Sequence, residues 1–386
     1  MSKNIVICLD GTGNQIEENL SSVLKSYRTL PQRSEQLVYY DQGIGTLGQQ
    51  STWGAISQKV KAVWGLATGH GLDKKVLGAY QFLVENYQED DKVYIFGFSR
   101  GAHTARVLAA FIYVMGLLRT QQANLAGSAL TLYKRARDTK GIEGADHFRR
   151  IARMQTIAVE FVGVWDTVSS MIVPRPDRFY LPSLEKLPFT QENPGVRTFC
   201  HVMAIDEKRR MFRLDSWKEG QEFRPNKYSQ GERVAQNLKQ VWFAGCHSDV
   251  GGGFKRDDSA MGQFPLIWMI EEAMASGLSV NTRMLDHVGR GKPYNAQSKH
   301  NYPEPDHKGR LHNSMTPAWA WMEFVPKRSK HKEWPGRKSV LGFYLPLSEP
   351  RLIPEGANIH QSVVDRLSDV LNYKPNNMPS HFIPIQ

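Results

Sequence analysis

The sequence predicts an α/β protein with a mostly parallel sheet and helices on both faces. Three observations predict it. Apolar runs of strand length alternate with periodic segments of helix length along most of the chain, the order that builds a doubly wound sheet. Polar, glycine-rich motifs follow those runs directly, at the carboxyl edge where open parallel sheets bind ligands. A chain of 386 residues, 41% hydrophobic, suffices for one large core or two smaller ones.

Asn4–Leu9 reads as a buried strand ending in Asp10-Gly11-Thr12-Gly13, and Gln36–Tyr40 as a second strand, followed by Gly43, Gly45 and Gly48. Ser51–Leu66 spaces Trp53, Ile56, Val60, Val63 and Trp64 around Lys59 and Lys61, a pattern that fits a core helix or an amphipathic lid facing a membrane. Leu72–Tyr87 is helical, with Val76, Leu77, Tyr80, Leu83 and Val84 on one face. Lys92–Phe96 is a third strand and Ala102–Leu118 a long apolar helix. Two more helical stretches cover 125–138 and 145–152. Thr156–Val164 is a strand ending at Trp165-Asp166-Thr167, and Gln240–Ala244 another, ending at Gly245-Cys246-His247-Ser248-Asp249. Met261–Ala275 is again helical. Beyond about Gly289 the chain is rich in Pro, Lys, His and Asn, with weak periodicity. The expected division is a catalytic domain over 1–289 and a small C-terminal accessory or cap region over 290–386, packed on the same core or beside it.

The net charge of +11 favours acidic partners without choosing among them. The run from Lys327 to Lys332 is expected to be a solvated loop. No helix-turn-helix, RNA-recognition or zinc pattern supports a nucleic-acid partner, and P-loop and HExxH patterns are missing. Neither a metal nor a cofactor is expected. Cys8, Cys200 and Cys246 are too few and too odd for a disulfide framework, so buried thiols made in a reducing compartment are expected. The N-terminus lacks a secretory apolar core. No apolar stretch, Val107–Leu118 being the longest, approaches the ~20 residues that span a bilayer. The chain is expected to be cytoplasmic as synthesised, any export being independent of a signal peptide.

The central motif is Gly97-Phe98-Ser99-Arg100-Gly101. A G-x-S-x-G set between a strand and a helix forms a nucleophile elbow, a tight turn that exposes the serine hydroxyl. The glycines let strand and helix approach closely. The Arg100 N–H then sits at a helix N-terminus, suited to an oxyanion. Backbone N–H groups of Asp10-Gly11-Thr12 are placed to complete that hole, although Asp10 serves equally well as a turn cap. The context makes the sheet α/β-hydrolase-like and Ser99 its nucleophile. A serine hydroxyl needs a base, and the base an orienting acid, in chain order Ser, acid, His. His247, after a strand, and His360, nearer the end, compete as base. Asp166 and Asp249 compete as acid, Asp249 pairing with His360 or standing behind His247. His103 is expected to pack on the elbow helix.

Four motifs together resemble one family: Leu9-Asp10-Gly11-Thr12-Gly13-Asn14, Gly97-Phe98-Ser99-Arg100-Gly101-Ala102, Phe161-Val162-Gly163-Val164-Trp165-Asp166-Thr167-Val168 and His247-Ser248-Asp249-Val250-Gly251-Gly252-Gly253. They are similar to the catalytic domain of type VI secretion phospholipase effectors, over about Lys3 to Gly277. The resemblance implies an α/β-hydrolase fold and phospholipid ester hydrolysis. For an effector it also implies an immunity protein as partner; peripheral membrane contact is the expectation that goes with Ser51–Leu66 as a membrane-facing helix. Carried over by motif, it makes Ser99 the nucleophile, Asp166 the acid and His247 the base. The stretch after Gly277 is expected to be too short for the large membrane-anchoring module of the long effectors.

The leading expectation is therefore a serine-dependent, lipolytic (phospholipase A-like) ester hydrolase acting on a lipid or other ester. The alternative is a non-catalytic binding module on a hydrolase scaffold. Leu9-Asp10-Gly11-Thr12 also suggests a haloacid-dehalogenase phosphohydrolase, but that chemistry needs an aspartate two positions before Asp10, where Cys8 stands.

Overall fold

A computed structural model describes residues 2–11, 20–43, 70–168, 172–174, 182–184, 187–225, 233–295 and 301–386. Ser51–Leu66 lies outside them. Eight strands form one sheet: β1 (Asn4–Leu9), β2 (Gln36–Asp41), β3 (Lys92–Phe98), β4 (Val159–Trp165), β5 (Val196–Ala204), β6 (Asn237–Phe243), β7 (Ala357–His360) and β8 (Phe382–Ile385). Their spatial order is β8-β7-β6-β5-β4-β3-β1-β2, and every neighbouring pair is parallel. A parallel sheet needs apolar residues on both faces because helical crossovers cover both. In β1, Ile5, Ile7 and Leu9 enter one core, while Val6 and Cys8 enter the other. In β3 the same alternation sends Val93 and Ile95 one way and Tyr94, Phe96 and Phe98 the other.

The first core is closed by α2 (His70–Asn86), α3 (Arg100–Met115), α4 (Ala126–Arg135) and α5 (Thr139–Ile151). Every residue of α3 from Gly101 to Met115 is buried, which explains its apolar character all round. The opposite core is closed by α1 (Ser22–Thr29), α7 (Gln263–Ala275) and α8 (Thr282–Arg290), with the short α6 (His247–Gly251) at the sheet edge. The chain steps outward from β1 to β2, then returns and continues the other way through β3. The strand order reverses between β1 and β3, the switch point at whose carboxyl edge such sheets place ligands.

The region from 290 on is continuous with this sheet. It supplies β7, β8 and α10 (Gln361–Asp369), and a third core cluster unites Ile353, Ile359 and Val363 with Met203 and Trp242 of the preceding strands. Strand β5, central in the sheet, had no sequence expectation. Its Arg197, Thr198 and His201 interrupt the apolar run, yet Thr198 and His201 are buried. Part of the basic run from Lys327 is structured: Lys327–Arg328 pairs antiparallel with Phe343–Tyr344. Cys8, Cys200 and Cys246 are buried free thiols. No helix among the described residues is long and apolar enough to cross a membrane.

Candidate active site

Strand β3 ends at Phe98, and α3 begins at Arg100, leaving Ser99 alone on the turn between them with φ +58° and ψ −119°. That conformation is sparsely populated for a residue with a Cβ and persists only where surrounding packing enforces it. Here the packing is explicit. A Cβ on Gly97 would lie 2.7 Å from the Ala102 nitrogen, and one on Gly101 would overlap the Leu9 carbonyl and lie 2.7 Å from the Asp10 carbonyl oxygen. The two glycines thus let α3 sit directly against β1 and β3. The Ser99 N–H donates to the Trp165 carbonyl at 3.1 Å, fixing the turn to the end of β4.

Asp166 follows β4 with φ +43°, and its N–H donates to Val202 O of β5 at 2.8 Å. His247 opens α6 after β6. Its Nδ1 lies 2.6 Å from Asp166 Oδ2, the bond that a proton on Nδ1 donates. The imidazole is held between Phe98 and Phe212, at centroid separations of 4.7 and 4.9 Å. Gly251 has no Cβ because one would overlap the Phe98 ring. The His247 N–H donates to the buried Glu207 carboxylate at 3.2 Å. Phe98, the neighbour of Ser99, therefore links the elbow to the imidazole. Among the described residues no hydrogen bond joins the Ser99 hydroxyl to His247, whose ring bonds Asp166 through Nδ1.

Sequence reasoning missed Arg351. Its guanidinium is fully buried and grips the Asp166 carboxylate at both oxygens, at 2.5 and 2.9 Å. It also donates to Ala204 O at 3.0 Å and Phe212 O at 2.6 Å. Ala204 N–H adds a bond to Asp166 Oδ1 at 3.0 Å. Burial by itself would raise the Asp166 carboxyl, but Arg351 and His247 together hold it well below the usual carboxylate range. The only sequence signal was an arginine in an apolar stretch, Pro350 to Ile353, of the weakly patterned tail.

The rival residues lie elsewhere. Asp249 Oδ2 accepts the Cys246 N–H at 2.9 Å, capping α6, and Asp249 Oδ1 pairs with His312 Nδ1 at 2.7 Å. His312 stacks on Phe254 at 3.6 Å. The expected alternative pairing of Asp249 with His360 is therefore not formed, because His312 occupies that carboxylate. His360 caps α10, bonds Ser362 at 2.8 Å and stacks on Phe243; burial pushes its imidazole down to about 4. His103 is buried on α3, pushed down to about 4 by burial.

The described part of the Asp10 loop takes the capping arrangement. The Asp10 carboxylate receives Ser21 Oγ at 2.5 Å and Tyr40 Oη at 2.8 Å. Gly11 N–H also donates to it, at 2.6 Å. That N–H is engaged by the adjacent side chain. Asp10 itself is a structural anchor. Thr12 lies outside the described residues. Arg100, the first residue of α3, has an N–H with no intrahelical acceptor, and burial pushes its guanidinium down to about 10. No group of three or more His, Cys, Asp or Glu side chains gathers as a metal site among the described residues.

An all-parallel α/β sheet with a serine on a strand-to-helix turn and a histidine–aspartate pair at the same edge defines an α/β-hydrolase-like architecture. The chain belongs to the type VI secretion (T6SS) phospholipase effector Tle1-like family, whose catalytic-domain model it matches over residues 3–272. It is 30% identical over 230 residues to the uncharacterized protein YEL023C of Saccharomyces cerevisiae, covering 55% of this chain and 32% of the yeast protein. Two solved structures are similar. One is an uncharacterized protein from Pseudomonas aeruginosa, with TM-score 0.39, 20% identity, and coverage of 72% of this chain and 46% of that one. The other is the Tle1 effector bound to the VgrG spike of the type 6 secretion system, with TM-score 0.33, 18% identity, and coverage of 67% and 52%. The chain thus spans about a third of the yeast relative and about half of each solved chain.

Proposed function

We propose that the chain is a serine-dependent carboxylic ester hydrolase acting on lipid esters in the manner of a phospholipase A. The observation that carries this reading is the buried 2.6 Å bond between Asp166 and His247 Nδ1, formed at the sheet edge that also bears the strained Ser99 turn. The phospholipase-effector family supports a lipid ester as substrate and an inhibitory immunity protein as partner.

In this mechanism the Ser99 hydroxyl attacks the ester carbonyl while its proton passes to His247 Nε2. Asp166 keeps Nδ1 protonated and stabilises the imidazolium that forms. The Arg100 N–H donates to the oxyanion of the tetrahedral intermediate. Collapse expels the alcohol, which takes the proton from His247 and leaves an acyl ester on Ser99. Water attacks that ester with His247 again as base, releasing the fatty acid and restoring the serine.

The test is Ser99→Ala beside wild type, assayed on a p-nitrophenyl ester and on phospholipid, with fluorophosphonate labelling. Loss of the activated hydroxyl should cost several orders of magnitude in kcat and abolish labelling in a folded protein. Wild-type turnover by Ser99→Ala would end the reading.

A further inference from the structure

Residues 317–347, which lie beyond the family match, hold most of the exposed large apolar side chains among the described residues. Trp321 is 76% exposed and Phe324 60%. Pro326 then meets Phe343, Leu345 and Leu347 across an open groove of about 650 Å³. Exposed apolar patches with a polar rim mark interaction surfaces.

The hairpin tip is the most informative part. Val340 bridges to Phe343, so Leu341 and Gly342 are the two central residues of the turn, with φ of +49° and +79°. Such turns favour Asn or Gly, because other side chains strain at positive φ. Here the first position holds a leucine that is 93% exposed. It meets two costs at once, a left-handed backbone and a hydrated apolar side chain. An apolar medium at the tip removes the second.

The charges choose the medium. Between Pro317 and Leu347 there are six Lys or Arg and two Glu. Both carboxylates serve inward contacts. Glu323 is buried and accepts from Arg210 N and Ser348 N, and Glu333 pairs with Arg213. Arg328, Lys330 and Lys338 stand exposed without a carboxylate of their own segment to neutralise them. Apolar side chains inserted among cations are the pattern of a surface that docks on anionic lipid. The patch also reaches the site: Trp319 packs edge-on against Phe212 at 5.5 Å, and Phe212 against His247.

We infer that this hairpin and the helix before it, α9 (Pro317–Met322), dock the protein on an anionic bilayer, Leu341 entering the acyl layer. The inference rests on the lipid-ester reading of the site, which the docked surface would supply with substrate. The test uses the full chain carrying Ser99→Ala, so that vesicles are not consumed and binding is read apart from catalysis. Sedimentation with phosphatidylglycerol-containing vesicles is compared with pure phosphatidylcholine, for the parent, for Leu341→Asn, which suits the turn, and for Lys330→Ser/Lys338→Ser. The parent should prefer the anionic vesicles, and Leu341→Asn should weaken binding about tenfold. Each lost cation should weaken it roughly fivefold at low salt. With Ser99 restored, each variant should keep wild-type turnover of a soluble ester. Equal sedimentation of parent and Leu341→Asn, or indifference to phosphatidylglycerol, would overturn the inference. Concentration-dependent dimerisation abolished by Leu341→Asn would assign the face to a second copy and overturn it likewise.

Discussion

Replacing Arg351 by Met keeps most of the side-chain volume and removes the charge. The Asp166 carboxylate would then retain His247 and Ala204 N–H but lose two charge-assisted bonds, and Ala204 O and Phe212 O would lose their donor. At an effective dielectric of ~20, opposite charges about 4 Å apart interact by about 4 kcal/mol. Removing one partner of a buried pair typically costs about 3–5 kcal/mol. A purely structural role would stop at that loss. The site geometry implies more. Arg351 draws on the same carboxylate that stabilises the His247 imidazolium, so its removal strengthens the hold of Asp166 on a proton at His247. Two unit charges on the order of 6 Å apart couple by about 3 kcal/mol at that dielectric, equivalent to about two pH units. The acid limb of kcat/KM on a soluble ester should therefore move to higher pH by that amount in Arg351→Met. In Arg351→Lys, which keeps the charge, it should move little. Both profiles are measured from pH ~5 to ~9, with circular dichroism to confirm folding. A folded Arg351→Met enzyme whose acid limb coincides with wild type would refute the reasoning and leave Arg351 a structural residue.

Three other outcomes follow from the geometry. Asp166→Asn should lower kcat by about 10⁴, since His247 loses its tautomer and its imidazolium partner; Asp249→Asn, which keeps one oxygen for the Cys246 N–H but loses the charge facing His312, should cost about 1 kcal/mol of stability and little kcat, and the reverse ranking in folded proteins would move the acid to Asp249. Gly101→Ala should cost about 3 kcal/mol through overlap with the Leu9 carbonyl, read by thermal denaturation; an unchanged Tm would contradict the packing of α3 on β1. His360 is pushed down to about 4 by burial, against the opposing Asp365, while an unfolded histidine titrates near ~6.5. The unfolded chain thus binds the extra proton in that window, so stability is full above ~6.5 and falls by up to about 3 kcal/mol as pH drops towards about 4; in His360→Gln the decline of Tm over this range should be shallower, and identical slopes would exclude His360 as its source.

The local sequence determined the parts of the fold that local physics dictates. The run Lys92–Phe96, two glycines and the apolar helix after them can only fit together as a sharp turn, so the elbow at Ser99 was legible in the residues themselves. The strands ending at Leu9 and Trp165 were legible too, because a strand buried on both faces is a nearly continuous apolar run, and the one ending at Phe243 was legible through its buried apolar end, Val241–Phe243. Strand β5 was not, since its His201 and Thr198 are buried by neighbours distant in sequence: His201 Nε2 accepts the Thr167 N–H and its Nδ1 lies 3.5 Å from Arg106. The competition between Asp166 and Asp249 was equally beyond local reading. Both carboxylates follow strands at the same sheet edge, and only the packing decides that one faces His247 and the other His312. Arg351 is the extreme case, 185 residues from its partner. A buried guanidinium is tolerable only where a carboxylate and carbonyls converge on it, and that convergence is created by β4, β5 and the C-terminal segment meeting in space, which no window of sequence contains.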